Sequence, residues 1–138
     1  MKTIYTTSAV ASGNGRDGRI TSLDGLLAAD VRMPPELGGQ GGATNPEQLF
    51  AAGYAACFHS ALKLVAGADG ADTSDSEVVA DVSLGALDSG VFGLAVSLEV
   101  SLPALEPADA KALVERAHEV CPYSNAVRGN VDVSLNVA

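Results

Sequence analysis

The 138 residues carry a formal net charge of −9, with 47% hydrophobic and only 4% aromatic residues. This length fits one domain spanning residues 1–138, and the apolar fraction is enough for a core and too high for disorder. The acidic balance argues against nucleic acid and against anionic membrane surfaces as partners, and Ala, Val and Leu must fill the interior.

The N-terminal third reads as a strand meander. Ile4 to Ser12 is rich in β-formers, Gly13 to Gly18 is a turn cluster, and Arg19 to Ser22 is a second short strand. Asp24-Gly25 marks another turn and Leu26 to Met33 a third strand. Met1 to Thr6 lacks the apolar stretch of a signal peptide. There is also no run of 18 apolar residues, so no membrane-spanning helix is expected. A cytoplasmic location is expected, where thiols stay reduced.

The segment Pro34 to Thr44 is dense in Gly and Pro and breaks all periodicity. A loop of that kind is mobile or wraps around something. It lacks the Gly-Lys-Ser/Thr ending of a phosphate-cradling loop. Asn45 then offers an N-cap, Pro46 suits the first helical position, and Gln48 can complete a capping box. The helix they open should run to about Ala66 and stop at Gly67. From Leu49 to Ala56 it is apolar on every side, as expected of a helix that is buried all round or sandwiched between a sheet and a partner chain.

Ala68 to Ser76 is a polar linker. Glu77 to Gly85 and Phe92 to Leu102 alternate as strands around a turn at Asp88-Ser89-Gly90. Glu106-Pro107 opens a second helix with an apolar face at Ala110, Leu113, Val114, Ala117 and Val120, ended by Pro122. Val131 to Val137 closes the chain as a strand. The class is α+β with mostly antiparallel sheet.

Chemistry centres on two cysteines, Cys57 within the apolar helix and Cys121 at the end of the second helix. In a reducing compartment such a pair serves catalysis or metal binding more often than it forms a staple. Each alone also fits an inert core position. The C-terminal end of a helix disfavours a thiolate, so Cys121 is poorly placed as a primary nucleophile and better placed as a waiting thiol. The only histidines, His59 and His118, form no ligand pattern with the cysteines, and they read as ordinary surface or interface residues. Neither a metal nor any other cofactor is expected.

Two long stretches, Thr44-Asn45-Pro46-Glu47-Gln48-Leu49-Phe50-Ala51-Ala52-Gly53-Tyr54-Ala55-Ala56-Cys57-Phe58 and Val120-Cys121-Pro122-Tyr123-Ser124-Asn125-Ala126-Val127-Arg128-Gly129-Asn130, resemble the organic hydroperoxide resistance (Ohr) proteins of the OsmC-like superfamily. Gly15-Arg16-Asp17-Gly18 and the loop ending in Thr44-Asn45 match as well, so the resemblance covers nearly the whole chain. It implies an OsmC-like fold, with mostly antiparallel sheets around a long buried central helix, and an intertwined homodimer. It also implies a cysteine peroxidase that reduces organic and lipid hydroperoxides and is recycled by dihydrolipoyl groups of a lipoylated protein. By the match, Cys57 is the peroxidatic cysteine, Cys121 the resolving one, Arg16 the activating arginine, and Glu47 the carboxylate that orients it.

The chemistry accounts for these residue types. A free thiol is only about 3% ionised at pH 7 and burial lowers that further, so a cation is needed beside it. Arginine stays charged, and a carboxylate can hold its planar fork. Glu47 and Cys57 stand ten residues apart on one helix, about 15 Å along its axis. An Arg16 held by Glu47 is therefore expected to serve Cys57 of a partner chain. Met33, Leu37 and Phe92 are expected wall residues of a greasy pocket. The alternatives are an OsmC-type peroxidase with other preferences, a binder of apolar molecules, and a dimer whose cysteines sense oxidation.

Overall fold

β1 (Ala9–Asn14), β2 (Asp17–Ser22) and β3 (Ala28–Val31) form an antiparallel sheet in that order. They belong to the first of two compact units, residues 1–49, in a computed structural model that describes residues 1–138. Asn14 pairs with Asp17, so Gly15 and Arg16 form a two-residue hairpin loop. Such a loop needs a positive φ, which Gly15 supplies at 63°. Arg16 therefore sits at the tip of a tight turn.

The first strand is shorter than its composition implies. β2 ends at Ser22, opposite Ala9, so residues 1–8 have no strand in this chain to complete a ladder. β3 is trimmed as well. Leu26 and Leu27 belong to a turn in which Asp24 Oδ1 accepts from the Leu26 N–H (3.0 Å) and Ser22 Oγ from the Leu27 N–H (3.0 Å). The Gly/Pro-rich loop contains one 3₁₀ turn, Pro35–Leu37, and its ends are drawn together. The Arg32 N–H donates to Thr44 O (2.9 Å) and the Gly41 N–H to Met33 O (3.0 Å). A β-carbon at Gly39 would collide with the Met33 backbone, so this loop closes on itself only because a glycine stands there.

Helix α1 (Pro46–Asp69) begins as expected, with the Gln48 N–H donating to Asn45 Oδ1 at 2.9 Å. The reciprocal half of the capping box is absent. The Gln48 side chain instead accepts from the Thr44 hydroxyl at 2.9 Å. The helix also runs past Gly67. It ends where Gly70 takes a φ of 67°, the Gly70 N–H reaches Gly67 O and the Ala71 N–H reaches Ala66 O, a Schellman closure. Ala68 and Asp69 tolerate helix, so the stop falls at the glycine that can satisfy the last carbonyls.

By length and composition, α1 is apolar enough to cross a membrane, contrary to the expectation from unbroken apolar runs. Its pattern is that of a packed helix. Tyr54, Phe58, Ala61, Leu62, Val65 and Ala66 recur at helical spacing and are buried.

In the second unit, residues 50–138, β4 (Glu77–Ala86) and β5 (Phe92–Ser101) pair antiparallel along their whole length. β6 (Asp132–Val137) lies parallel to β5. A parallel partner cannot be reached by a hairpin, and helices make the crossover. These are α2 (Pro107–Val120) and the short α3 (Pro122–Val127). The core of this unit sets the buried face of α1 against Val96, Leu98 and Val100 of β5 and Ala110, Leu113, Val114 and Ala117 of α2, and it includes Cys121. Val120, expected on that face, is half exposed. The α+β class and the mostly antiparallel pairing hold, with β6 as the parallel exception.

Candidate active site

In the N-terminal unit the hairpin tip meets the first turn of α1. Arg16 and Glu47 form a fork-to-fork pair, Nη1 to Oε2 at 2.8 Å and Nη2 to Oε1 at 2.7 Å. The Glu47 side chain is 15% exposed and that of Arg16 35%. The hydrogen bond to Arg16 holds the Glu47 carboxyl below the usual carboxylate range, while Glu47 raises the guanidinium further. The N-terminal turn of a helix also favours a carboxylate. A guanidinium gripped along one edge keeps its other N–H groups available for a second ligand.

In the C-terminal unit the two cysteines come together. Cys121 Sγ–H points at Cys57 Sγ across 3.8 Å, and both thiols are free. Cys121 is fully buried and Cys57 half-buried. Burial pushes the Cys57 thiol up and the neighbouring Cys121 adds to this, while a backbone N–H from Tyr123 works the other way. Cys121 has two structural duties. Its backbone N–H closes α2 on Ala117 O, and its sulfur caps α3 by accepting from the Ser124 N–H at 3.5 Å. Cys121 thus feels more than the negative end of α2, because the same residue stands at the opening of α3. Pro122 ends one helix and, as a first-position proline, begins the next.

Around the thiols lies a set of residues to which sequence reasoning gave no role. Tyr54 Oη and His118 Nδ1 each lie 2.8 Å from the hydroxyl of buried Ser124. His118 is therefore a partner of the core and not an ordinary surface residue. Burial, then Arg128, pushes its pKa down. His59 is also engaged, through Nε2 to Ser76 Oγ at 2.9 Å. Phe50, Tyr54 and Tyr123 form an aromatic triangle with centroids 5.8–6.2 Å apart. Gly53 makes room for it, since a β-carbon there would lie 3.2 Å from Tyr123 Oη. The signal for these contacts was faint. His118 in the last turn of one helix and Ser124 in the first turn of the next are six residues apart, but only the unforeseen α3 makes them neighbours.

An open groove of about 420 Å³ adjoins Cys57, lined also by Ser60, Ala61, Leu64, Val120 and Pro122. Phe92 is not among its walls; it lies at the start of β5, 77% exposed. Met33 and Leu37 belong to the other unit. The walls come from α1 and the α2–α3 junction, the elements that carry the cysteines.

Comparison with known proteins gives a consistent picture. Residues 39–136 match the family model described as OsmC-like protein. The organic hydroperoxide resistance protein of Xanthomonas axonopodis pv. citri is 49% identical over 139 residues, which cover 99% of this chain and 96% of that protein. A crystal structure of an organic hydroperoxide resistance protein from Legionella pneumophila superposes with a TM-score of 0.94 at 55% identity, covering 99% of both chains. That of the Bacillus subtilis protein OhrB gives 0.88 at 49%, covering 97% and 98%.

The depressed carboxyl of Glu47 ties stability to pH. A carboxylate whose folded pKa lies below its unfolded value stabilises the fold above the unfolded pKa, and this is lost as pH falls through the folded one. Glu47→Gln should therefore lower the Tm at pH 7, by on the order of 1 kcal/mol of stability for a partly exposed pair. The gap to the parent should close as pH falls below the ordinary carboxylate range. Thermal melts of both proteins from pH 7 to pH 3 measure it, and a gap independent of pH would contradict the pairing.

Proposed function

This chain belongs to the organic hydroperoxide resistance proteins of the OsmC-like family, and from that premise we propose that it is a thiol-dependent peroxidase. Its substrates are organic hydroperoxides, lipid hydroperoxides among them, and its role is in the response to oxidative stress. The observation that carries this reading is the 3.8 Å approach of two free thiols 64 residues apart in sequence. Inert core cysteines have no reason to meet with their sulfurs in contact, whereas a pair that must form a disulfide has to lie this close.

In the proposed cycle the Cys57 thiolate attacks one peroxide oxygen. An S–O bond forms, the O–O bond breaks, and the departing alkoxide takes a proton to leave as an alcohol. The resulting sulfenic acid is attacked by Cys121. The S–S bond forms, the S–O bond breaks, and hydroxide leaves with the thiol proton as water. A dihydrolipoyl dithiol on a lipoylated protein then reduces the disulfide by thiol–disulfide exchange. The open apolar groove beside Cys57 suits the alkyl part of the substrate.

Arg16 supplies the positive charge that opposes the upward push of burial on Cys57, and Glu47 orients it. Glu47 and Cys57 are separated by ten residues of continuous helix, about 15 Å. The reading therefore assigns Arg16 and Glu47 of one protomer to Cys57 of its partner, within an intertwined homodimer. The exposed face of α1 supports a partner. Ala52, Ala56, Ser60 and Leu64 follow one another at helical spacing, and Leu64 is 71% exposed. Small residues along such a stripe let a second helix approach closely. Residues 1–138 then act as one functional domain, in the reducing cytoplasm where free thiols persist.

With an organic hydroperoxide and dihydrolipoamide, Cys57→Ser should lose even the first turnover. Cys121→Ser should complete one turnover and then stall. Steady-state consumption by the parent should be at least tenfold faster with dihydrolipoamide than with glutathione. A Cys57→Ser protein that still consumes peroxide would overturn the assignment.

Mixing tests the shared site. Arg16→Ala and Cys57→Ser chains, each inactive alone, should regain up to a quarter of parental activity when refolded together as a statistical mixture, since half the dimers are mixed and each holds one intact site. No recovery above the two parents would sink the shared site.

A further inference from the structure

Ser124 has no solvent exposure, yet its hydroxyl touches two polar side chains from different elements, Tyr54 on α1 and His118 on α2. Those elements carry the two thiols. α1 bears Cys57, and the α2–α3 junction bears Cys121. The link continues into the backbone at the sulfurs. The Ser124 N–H donates to Cys121 Sγ at 3.5 Å, and the N–H of the preceding Tyr123 acts on Cys57. Arg128 fastens the outer side, with Nη2 on His118 O at 2.7 Å and its backbone N–H on Ser124 O at 3.0 Å.

A hydroxyl donates once and accepts twice, so Ser124 can satisfy both neighbours. No buried side-chain polar atom in the chain is left without a partner. A fully satisfied buried network favours one arrangement over its competitors, while an apolar filling of the same space would tolerate several. Such rigidity has a use where two sulfurs must stay in contact while one of them is oxidised.

We propose that Tyr54, Ser124 and His118 are positioning residues for the resolving step, holding the opening turn of α3 against α1 so that Cys121 stays on line to the Cys57 sulfenic acid. This rests on the peroxidase reading above. To form a disulfide the sulfurs must close from 3.8 Å to about 2.05 Å, a movement of less than 2 Å. Correct placement therefore leaves little to rearrange. The competing fate of the sulfenic acid is attack on a second peroxide. The Cys57 sulfur then gains a second oxygen, the second peroxide is reduced to alcohol, and the product is a sulfinic acid. The ratio of disulfide to sulfinic acid at a fixed peroxide excess compares these two fates and does not depend on how fast the sulfenic acid formed.

The test measures that ratio by mass spectrometry after treating the pre-reduced protein with excess cumene hydroperoxide. Tyr54→Phe removes one hydroxyl and keeps the ring in its aromatic triangle. His118→Ala removes the other partner. His118→Asn returns an amide that can donate or accept where Nδ1 stood. The ratio should fall at least tenfold in Tyr54→Phe and in His118→Ala and return to within about threefold of the parent in His118→Asn. Melting temperatures are recorded in parallel. Ratios within twofold of the parent in both Tyr54→Phe and His118→Ala, whatever their Tm, overturn the proposal and leave the peroxidase reading standing. A parent protein that forms no Cys57–Cys121 disulfide takes both down.

Discussion

A thiol set into an apolar helix resists ionisation, and at Cys57 only one backbone N–H opposes that push, while the second sulfur adds to it. The thiolate is the nucleophile in any cysteine chemistry, so this penalty has to be offset from elsewhere. In the proposed mechanism the Arg16–Glu47 pair delivers the cation. A hairpin with a two-residue loop puts the arginine at its tip, and the first turn of α1 puts a carboxylate under it. Gripping the guanidinium along one edge fixes its plane and leaves the remaining donors for a second ligand. On the proposed function the cost of burial is useful too, because an apolar surround excludes water and would favour alkyl substrates over small polar ones.

Helix α1 links these requirements. Its cap at Asn45 fixes where Glu47 stands, its buried stripe from Tyr54 to Ala66 fixes the rotation of Cys57 toward Cys121, and its Schellman end at Gly70 sets its length. The opposite stripe, with Ala52, Ala56, Ser60 and Leu64, is what a second copy would cover. One helix thus presents a carboxylate at one end, a thiol near its middle, and two apolar faces of different shape. The α2–α3 junction answers it from the other side. Cys121 closes one helix and caps the next, and Ser124 locks that junction to Tyr54.

Local chemistry was legible in the sequence and remote contacts were not. Asn45-Pro46 announced the start of α1, Glu106-Pro107 that of α2, and the period-two runs gave β4 and β5. The failures share a physical cause. Ile4 to Ser8 has strand composition, but a strand also needs a partner, and β2 has none left beyond Ser22. Gly67 looked like a helix stop, but the stop went to Gly70, where two carbonyls could be satisfied. Pro122 ends a helix and begins another with equal ease, so α3 was hidden behind its own first residue. The catalytic candidates were readable through a long family resemblance; their pairing was not. Arg16 meets Glu47 across 31 positions, Cys57 meets Cys121 across 64, and Tyr54 meets Ser124 across 70. Only the packed fold brings such residues together.

The central claim is that Cys57 and Cys121 form one redox pair within a chain. Intact-mass and peptide mapping of the reduced protein after one equivalent of an organic hydroperoxide tests it most directly. The account predicts a loss of about 2 Da per chain, the two hydrogens given up in forming one disulfide, and one new cross-linked peptide joining Cys57 to Cys121 of the same chain. Unlinked cysteines, or a cross-link only between chains, would contradict it.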